Sequence, residues 1–191
     1  IRTTDTHLAP VHRTVTAVGT PALPTLERLD EALRRTGPRL IADDLPFPLI
    51  DRVELSSDGV RLHLAASATA PAPWRADHND PVWTLPADVD LSDIGPIPPH
   101  QPAPWPLLAT LGTDGATTWL LNLEQASTIS LGGDPTYAAD YLRYLAGELA
   151  INPWAAAVTV YANGAIPSME QLNPTRFSSD GAALALQTAQ V

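Results

Sequence analysis

The chain has 191 residues, 45% of them hydrophobic, which is enough apolar material for one sizeable domain or two small ones. Its formal net charge of −10 argues against a generic nucleic-acid binder, because phosphate contacts need clustered Lys and Arg. All 11 basic residues are arginine and cysteine is absent, so Schiff-base and phosphate-loop lysines, Ser-Lys dyads, disulfides and thiolate metal sites are excluded.

Twenty prolines against 11 glycines, with only 17% charged residues, point to an ordered domain with long proline-rich connections rather than to a disordered chain. Heavy use of Ala, Arg and Pro without Lys suggests a GC-rich, actinobacterial genome. No apolar run approaches the ~18 residues of a membrane span, and no secretory segment is visible. A chain that opens at Ile1 is expected to be part of something longer.

Residues 1–22 are polar, Thr-rich and aperiodic, and read as a tail or linker. A single α/β domain is expected over 23–191. It begins with a helix over 23–36, where Leu26, Leu29 and Leu33 share one face and Gly37-Pro38 supplies the stop. Val53 and Leu55, then Val60, Leu62 and Leu64, alternate with polar residues around "SSDG", so 52–65 reads as a β-hairpin with His63 pointing outward. Residues 66–104 carry many prolines and read as a long connection over the surface. It holds one short strand candidate, "PVWTLP", and is pinned by Trp74 and Trp83. A second hairpin follows: "PLLATLG", a turn at "TDGA", then "TTWLLNLE".

Next come a strand over 127–132, a helix over 135–150 and a strand over 157–162. These are expected to form a right-handed parallel crossover. Residues 167–178 read as loop with a short strand, and 180–189 as a weak Ala-rich helix. Hairpins followed by strand–helix–strand imply an α/β sheet with an antiparallel extension.

The stretch "LGGDPTYAADYLRYLAGELA" places a glycine pair between strand and helix, where a phosphate-binding loop would sit. Asp134 before Pro135 is a strong helix start, an N-cap followed by a residue suited to the first turn. Ala138, Leu142, Leu145 and Leu149 form a stripe expected to face the sheet, with Asp140, Arg143 and Glu148 outside it. Counting four residues on from Gly133, a Walker A loop would need Gly, Lys and Ser/Thr; the chain has Ala138, Ala139 and Asp140. The frame fits and the chemistry does not. The Asp134 carboxylate would also occupy the N–H groups that receive a phosphate. A capped helix entering an α/β sheet is the simpler reading, with no cofactor bound.

The segment 106–163 resembles the start of the ATPase domains of DNA translocases and type VII secretion motors, in hairpin, strand, loop, helix and strand order. That resemblance implies a degenerate P-loop-like sheet without ATPase function. "LLNLEQAS", "LGGDP", "YLRYLAGELA" and "NPW" (Asn152, Pro153, Trp154) also resemble the non-catalytic middle segment of large actinobacterial proteins, over 23–190. Those proteins carry membrane helices, a LysM domain and a bacterial transcriptional activator domain (BTAD). The resemblance implies a cytoplasmic module of a membrane-anchored protein.

Other constellations are weak. Asp77–Asp80, "DHND", reads as a solvated turn rather than a hard-metal site. His7 and His12 lack helical ligand spacing, and His100 sits in an extended "PPHQP". No nucleophile elbow is present, and nothing in the spacing pairs Glu124 with Glu148. Trp74, Trp83, Trp105, Trp119 and Trp154 are expected to be core and loop anchors; a carbohydrate platform would need two or three of them exposed on one face. The expected function is therefore a non-catalytic interaction or scaffold module of a larger protein. It would have no metal or catalytic residue, and its partner would be a protein or another domain. The alternatives are a weak nucleotide-responsive regulatory module and a cell-wall carbohydrate binder using exposed tryptophans.

Overall fold

The computed structural model describes residues 23–99, 102–126, 128–162 and 173–178. The expected tail over 1–22 and helix over 180–189, and the histidines at 7, 12 and 100, lie outside the described residues.

Helix α1 spans Leu23–Ala42. Leu29, Ala32 and Leu33 are fully buried, as the Leu stripe requires. The helix does not stop at Gly37-Pro38 but carries both inside it. A proline removes one i→i−4 hydrogen bond and crowds the residue before it; here that residue is glycine, which has no Cβ to clash. Tertiary contacts hold the extra turn. Leu40 is fully buried, and the buried Thr36 hydroxyl donates to Ala32 O (2.7 Å) while accepting from Trp74 Nε1 (2.9 Å).

Six strands form one sheet: β1 (Ile50–Ser56), β2 (Gly59–Leu64), β3 (Arg75–Ala76), β4 (Val82–Pro86), β5 (Leu108–Asp114) and β6 (Thr117–Asn122). Their order is β3-β4-β2-β1-β6-β5, antiparallel at every junction. Both expected hairpins are present, the second turning at Gly115-Ala116 rather than across "TDGA". The proline-rich connection is more than a surface crossing. It contributes β4 to the sheet interior and β3 to its edge, because Val82, Trp83 and Leu85 bury their side chains there.

One face of the sheet packs on α1. Val53, Leu55, Val60, Leu62, Trp83, Leu85 and Leu120 join Leu29, Leu33 and Leu40 in a single core. A short 3-10 turn, Leu91–Ile94, closes one end and is started by Asp90, whose side chain accepts from Ser92 N. Arg28 and Arg35 tie this connection to α1. Arg28 Nη2 donates to Pro86 O (3.0 Å) and Val89 O (2.7 Å), and Arg35 Nη1 donates to Gly95 O.

Helix α2 spans Pro135–Ile151. The strand expected over 127–132 is not formed: residues 128–132 are irregular. The strand expected over 157–162 shrinks to β7, Val160–Tyr161, which pairs in parallel with β8, Phe177–Ser178, in a separate two-stranded sheet. The expected parallel crossover is thus absent, and the fold is mixed α/β around an antiparallel sheet. Segment 128–132 is largely exposed, so no apolar face draws it into the sheet. No helix among the described residues is long and apolar enough to cross a membrane.

Candidate functional site

The glycine-rich loop has the cap its sequence implies. Gly133 adopts φ +104°, a conformation that glycine reaches without strain. Asp134 Oδ1 accepts from Thr136 N at 2.8 Å and Tyr137 N at 3.3 Å. The carboxylate therefore fills the N-terminal end of α2. Ala138 and Ala139 are half-buried, and Asp140 is exposed and paired with Arg143 Nη1 at 2.6 Å. Asp134→Ala is expected to cost about 0.5–2 kcal/mol, read as a lower urea midpoint at unchanged slope. A variant as stable as the parent would show that this cap does not hold the helix.

The leucine stripe does not dock as expected. Leu142 is 54% exposed, and Leu145 and Leu149 are only half-buried. The face that packs contains Tyr141, Tyr144, Gly147, Glu148 and Ala150, so Glu148 lies inside the contact and not outside it. Polar chemistry on β5 explains the rotation. Among the described residues strand β5 pairs with β6 alone, so its other side has no strand partner there. Thr110 N donates to Glu148 Oε2 at 2.8 Å and the Thr110 hydroxyl to Oε1 at 2.5 Å. Tyr141 Oη donates to Thr110 O at 3.0 Å, and Trp154 Nε1 to Leu108 O at 2.9 Å. Buried backbone polar groups must find partners, and turning the leucines inward would leave these unpaired. Asn173 Nδ2 (2.8 Å to Ala150 O) and Arg176 (to Leu149 O and Asn152 O) cap the far end of α2.

Burial raises the Glu148 carboxyl above its ordinary range, against the lowering pull of the Thr110 hydroxyl and amide. Burial likewise pushes the Tyr144 phenol up to about 12, and the neighbouring Glu148 charge adds to that. A carboxyl that holds its proton more tightly when folded contributes fully below the unfolded value, near ~4.3, and that contribution is lost as pH rises. Glutamine at 148 can still accept from Thr110 N and donate to its hydroxyl without ionising. Glu148→Gln is therefore expected to flatten the stability–pH profile, gaining on the wild type between about pH 5 and 7.5. Urea midpoints at the two pH values check this, and a wild type that gains on the variant as pH rises would sink it.

The sheet face away from α1 carries a second cluster, which the hairpin alternation foreshadows only in part. Strand pairing sets Arg75, Thr84, Arg61, Glu54 and Trp119 side by side from β3 to β6, with His63, Arg52 and Leu121 in the next row. Glu54 Oε2 lies 3.2 Å from His63 Nε2 and 3.4 Å from Arg61 Nη1. Arg52 Nη2 approaches His63 Nδ1 at 3.5 Å, and its guanidinium stands 5.9 Å from the centre of the Trp119 ring. With Nδ1 turned to a guanidinium, the ring proton belongs on Nε2, facing Glu54. The cation over an indole contributes about 0.5–1 kcal/mol at an exposed site.

This face differs in charge from the rest of the described chain. Arg34, Arg35, Arg39 and Arg143 pair with carboxylates one helical turn away, and Arg28 and Arg176 donate to main-chain carbonyls. Among the described residues, Arg52 and Arg75 alone have neither kind of partner. Both are exposed.

No protein-family model, curated protein or solved structure matches this chain.

The remaining sequence candidates separate clearly. Asp77 turns its carboxylate onto Asn79 N (2.8 Å) and Asp80 N (3.3 Å), which makes "DHND" a turn held by its own aspartate. No group of three or more metal-ligating side chains occurs among the described residues. Glu148 is bound by Thr110, while Glu124 is exposed beyond β6. Trp74, Trp83, Trp105 and Trp154 are buried, which leaves Trp119 as the only partly exposed tryptophan. The platform of several exposed indoles that carbohydrate binding would need is not formed. Sequence alternation places Arg52, Glu54, Arg61 and His63 outward. It does not reveal that Trp119 comes beside them, because that needs the β1–β6 pairing.

Proposed function

We propose that this domain is a non-catalytic interaction module of a larger actinobacterial protein, and that its contact surface is the outer face of the six-stranded sheet. One observation carries the reading: Arg52 and Arg75 are exposed on this face without a carboxylate or main-chain carbonyl partner, Arg52 standing over the half-exposed Trp119, in a chain that otherwise commits its described arginines. Arginine and tryptophan are the residues most enriched where protein surfaces bind. A site built on strands is also held more firmly than one on a loop.

The resemblance to the middle segment of membrane-anchored LysM/BTAD proteins supplies the rest of the proposal. It places the module on the cytoplasmic side of such a protein, and the parent reading frame tests that. A degenerate P-loop ancestry rests on the letter frame from Gly133 to Asp140 and the capped start of α2. An irregular 128–132 in place of the feeding strand weighs against it. The weak nucleotide-responsive alternative has the same support and the same difficulty.

A photoreactive side chain at Thr84, on the outer face, tests the contact surface against one at Arg143 on α2. Cross-linking of a discrete partner from Thr84 and not from Arg143 is expected. Equal yields from both positions would remove the sheet face as the contact surface.

A further inference from the structure

On the reading that the outer sheet face is the contact surface, we infer that its partner is a short acidic polypeptide segment, whose carboxylates are received by Arg52, Arg61 and Arg75 in a row that runs from β3 to β1. One carboxylate lies within the cluster, Glu54, which is already shared by Arg61 and His63. Asp77, at the β3 end, turns its carboxylate onto the backbone of its own turn and adds a second negative charge, so three guanidinium groups face two carboxylates. The cluster thus keeps an excess of positive charge in a chain whose formal net charge is −10.

Local excess within global acidity selects for a short ligand. Charges farther than a Debye length, about 8–10 Å at physiological salt, are largely screened. A short acidic stretch meets mainly the arginines, whereas a long polyphosphate strand would run off the patch into the repulsion of the whole chain. Nucleic acid would also need free aromatic faces for stacking, and Trp119 already lies under Arg52. Guanidinium groups offer carboxylates forked, paired donors; Arg75 retains all of its own, and Arg52 turns only Nη2 toward His63.

The spacing of the ligand follows from the sheet. Arg75 on β3 and Arg61 on β2 are two strand positions apart, which is about 10 Å. An extended peptide covers that distance in about three residues. Arg52 lies on the next strand, one step along, since Arg61 pairs with Glu54 and Arg52 with His63. Carboxylates about three residues apart would reach successive arginines.

Fluorescein-labelled hexaglutamate, titrated by anisotropy at low salt, tests the inference, with hexaglutamine as the neutral control. Saturable binding of hexaglutamate alone is expected. It should weaken at least tenfold in the double variant Arg52→Gln/Arg75→Gln and stay unchanged in Arg143→Gln. The double variant loses the Arg52 contacts with Trp119 and His63, so a drop of a few degrees in melting temperature is expected and is measured alongside, with binding compared where both proteins are fully folded. Hexaglutamate that fails to bind at millimolar concentration, or that binds the double variant equally well, would overturn the proposal. So would tighter binding of oligothymidylate, or a dimer in sedimentation that the double variant abolishes. A non-acidic partner cross-linked from Thr84 would remove the acidic segment and leave the contact surface standing.

Discussion

Alanine at position 59 is expected to destabilise the protein by about 3 kcal/mol or more, through combined backbone strain and overpacking. Gly59 opens β2 with φ +136° and pairs with Ser56 on one side and Pro86 on the other. A Cβ there would lie 2.1 Å from Leu85 O and 2.9 Å from Ala87 N. Both are backbone atoms of the neighbouring strand or its end, so neither can swing away as a side-chain tip would. Ala87 N also donates to Asp58 O at 2.8 Å, a bond that the displaced strand would lose. Gly115 is the control. It has φ +61° in the second hairpin turn, with nothing within 4 Å of an added Cβ, and its replacement by alanine is expected to cost only about 1 kcal/mol. Urea unfolding of both variants decides the matter; equal losses would show that the approach of Leu85 O is not what demands glycine.

Trp154→Ala is expected to cost about 3–5 kcal/mol, the usual range for deleting a large buried aromatic. Trp154 is 1% exposed and belongs to the same core as Leu108 and Leu120. Its indole N–H is also the donor that satisfies Leu108 O, so truncation leaves a buried carbonyl unpaired. Trp154→Phe separates the two effects, because it keeps most of the apolar volume and loses the donor. The phenylalanine variant is expected to lie between the parent and the alanine variant in chemical denaturation. A phenylalanine variant as stable as the parent would mean that Leu108 O finds another partner.

What was legible in the sequence depended on how local the determining physics was. The two hairpins follow from alternation and from turn residues a few positions apart, and both are present. The Asp134 cap follows from two adjacent letters. The end of α1 is not legible locally, because Gly37-Pro38 is a local stop signal, overridden by Leu40 and by the Trp74–Thr36 hydrogen bond from 38 residues away. The packed face of α2 is not legible in its leucine stripe, which reports apolarity alone. The unpaired groups of β5 drew Glu148 and Tyr141 inward, and no periodicity within α2 encodes that demand. The strand expected at 127–132 has no buried apolar face, since 128–130 are exposed, and such a segment gains little by joining a sheet. Of the outer-face site, the hairpin's four polar positions were readable, whereas Trp119 joined them through a strand pairing more than 60 residues away in sequence.

The side-chain cover on β5 governs how this sheet could meet other copies of itself. An uncovered strand margin is a template for lateral growth, from a swapped dimer up to a fibre. On β5 the outward groups of Leu108 and Thr110 that would template it are already bonded to Glu148, Tyr141 and Trp154. The opposite margin is β3, only two residues long, which offers too few rungs for a stable added strand. Lateral growth on the β5 side would first have to peel α2 away. The acidic group that holds α2 there is Glu148, whose burial favours the protonated form. A rise in pH that ionises Glu148, or truncation before Pro135, is therefore the circumstance in which this domain should lose its resistance to self-assembly.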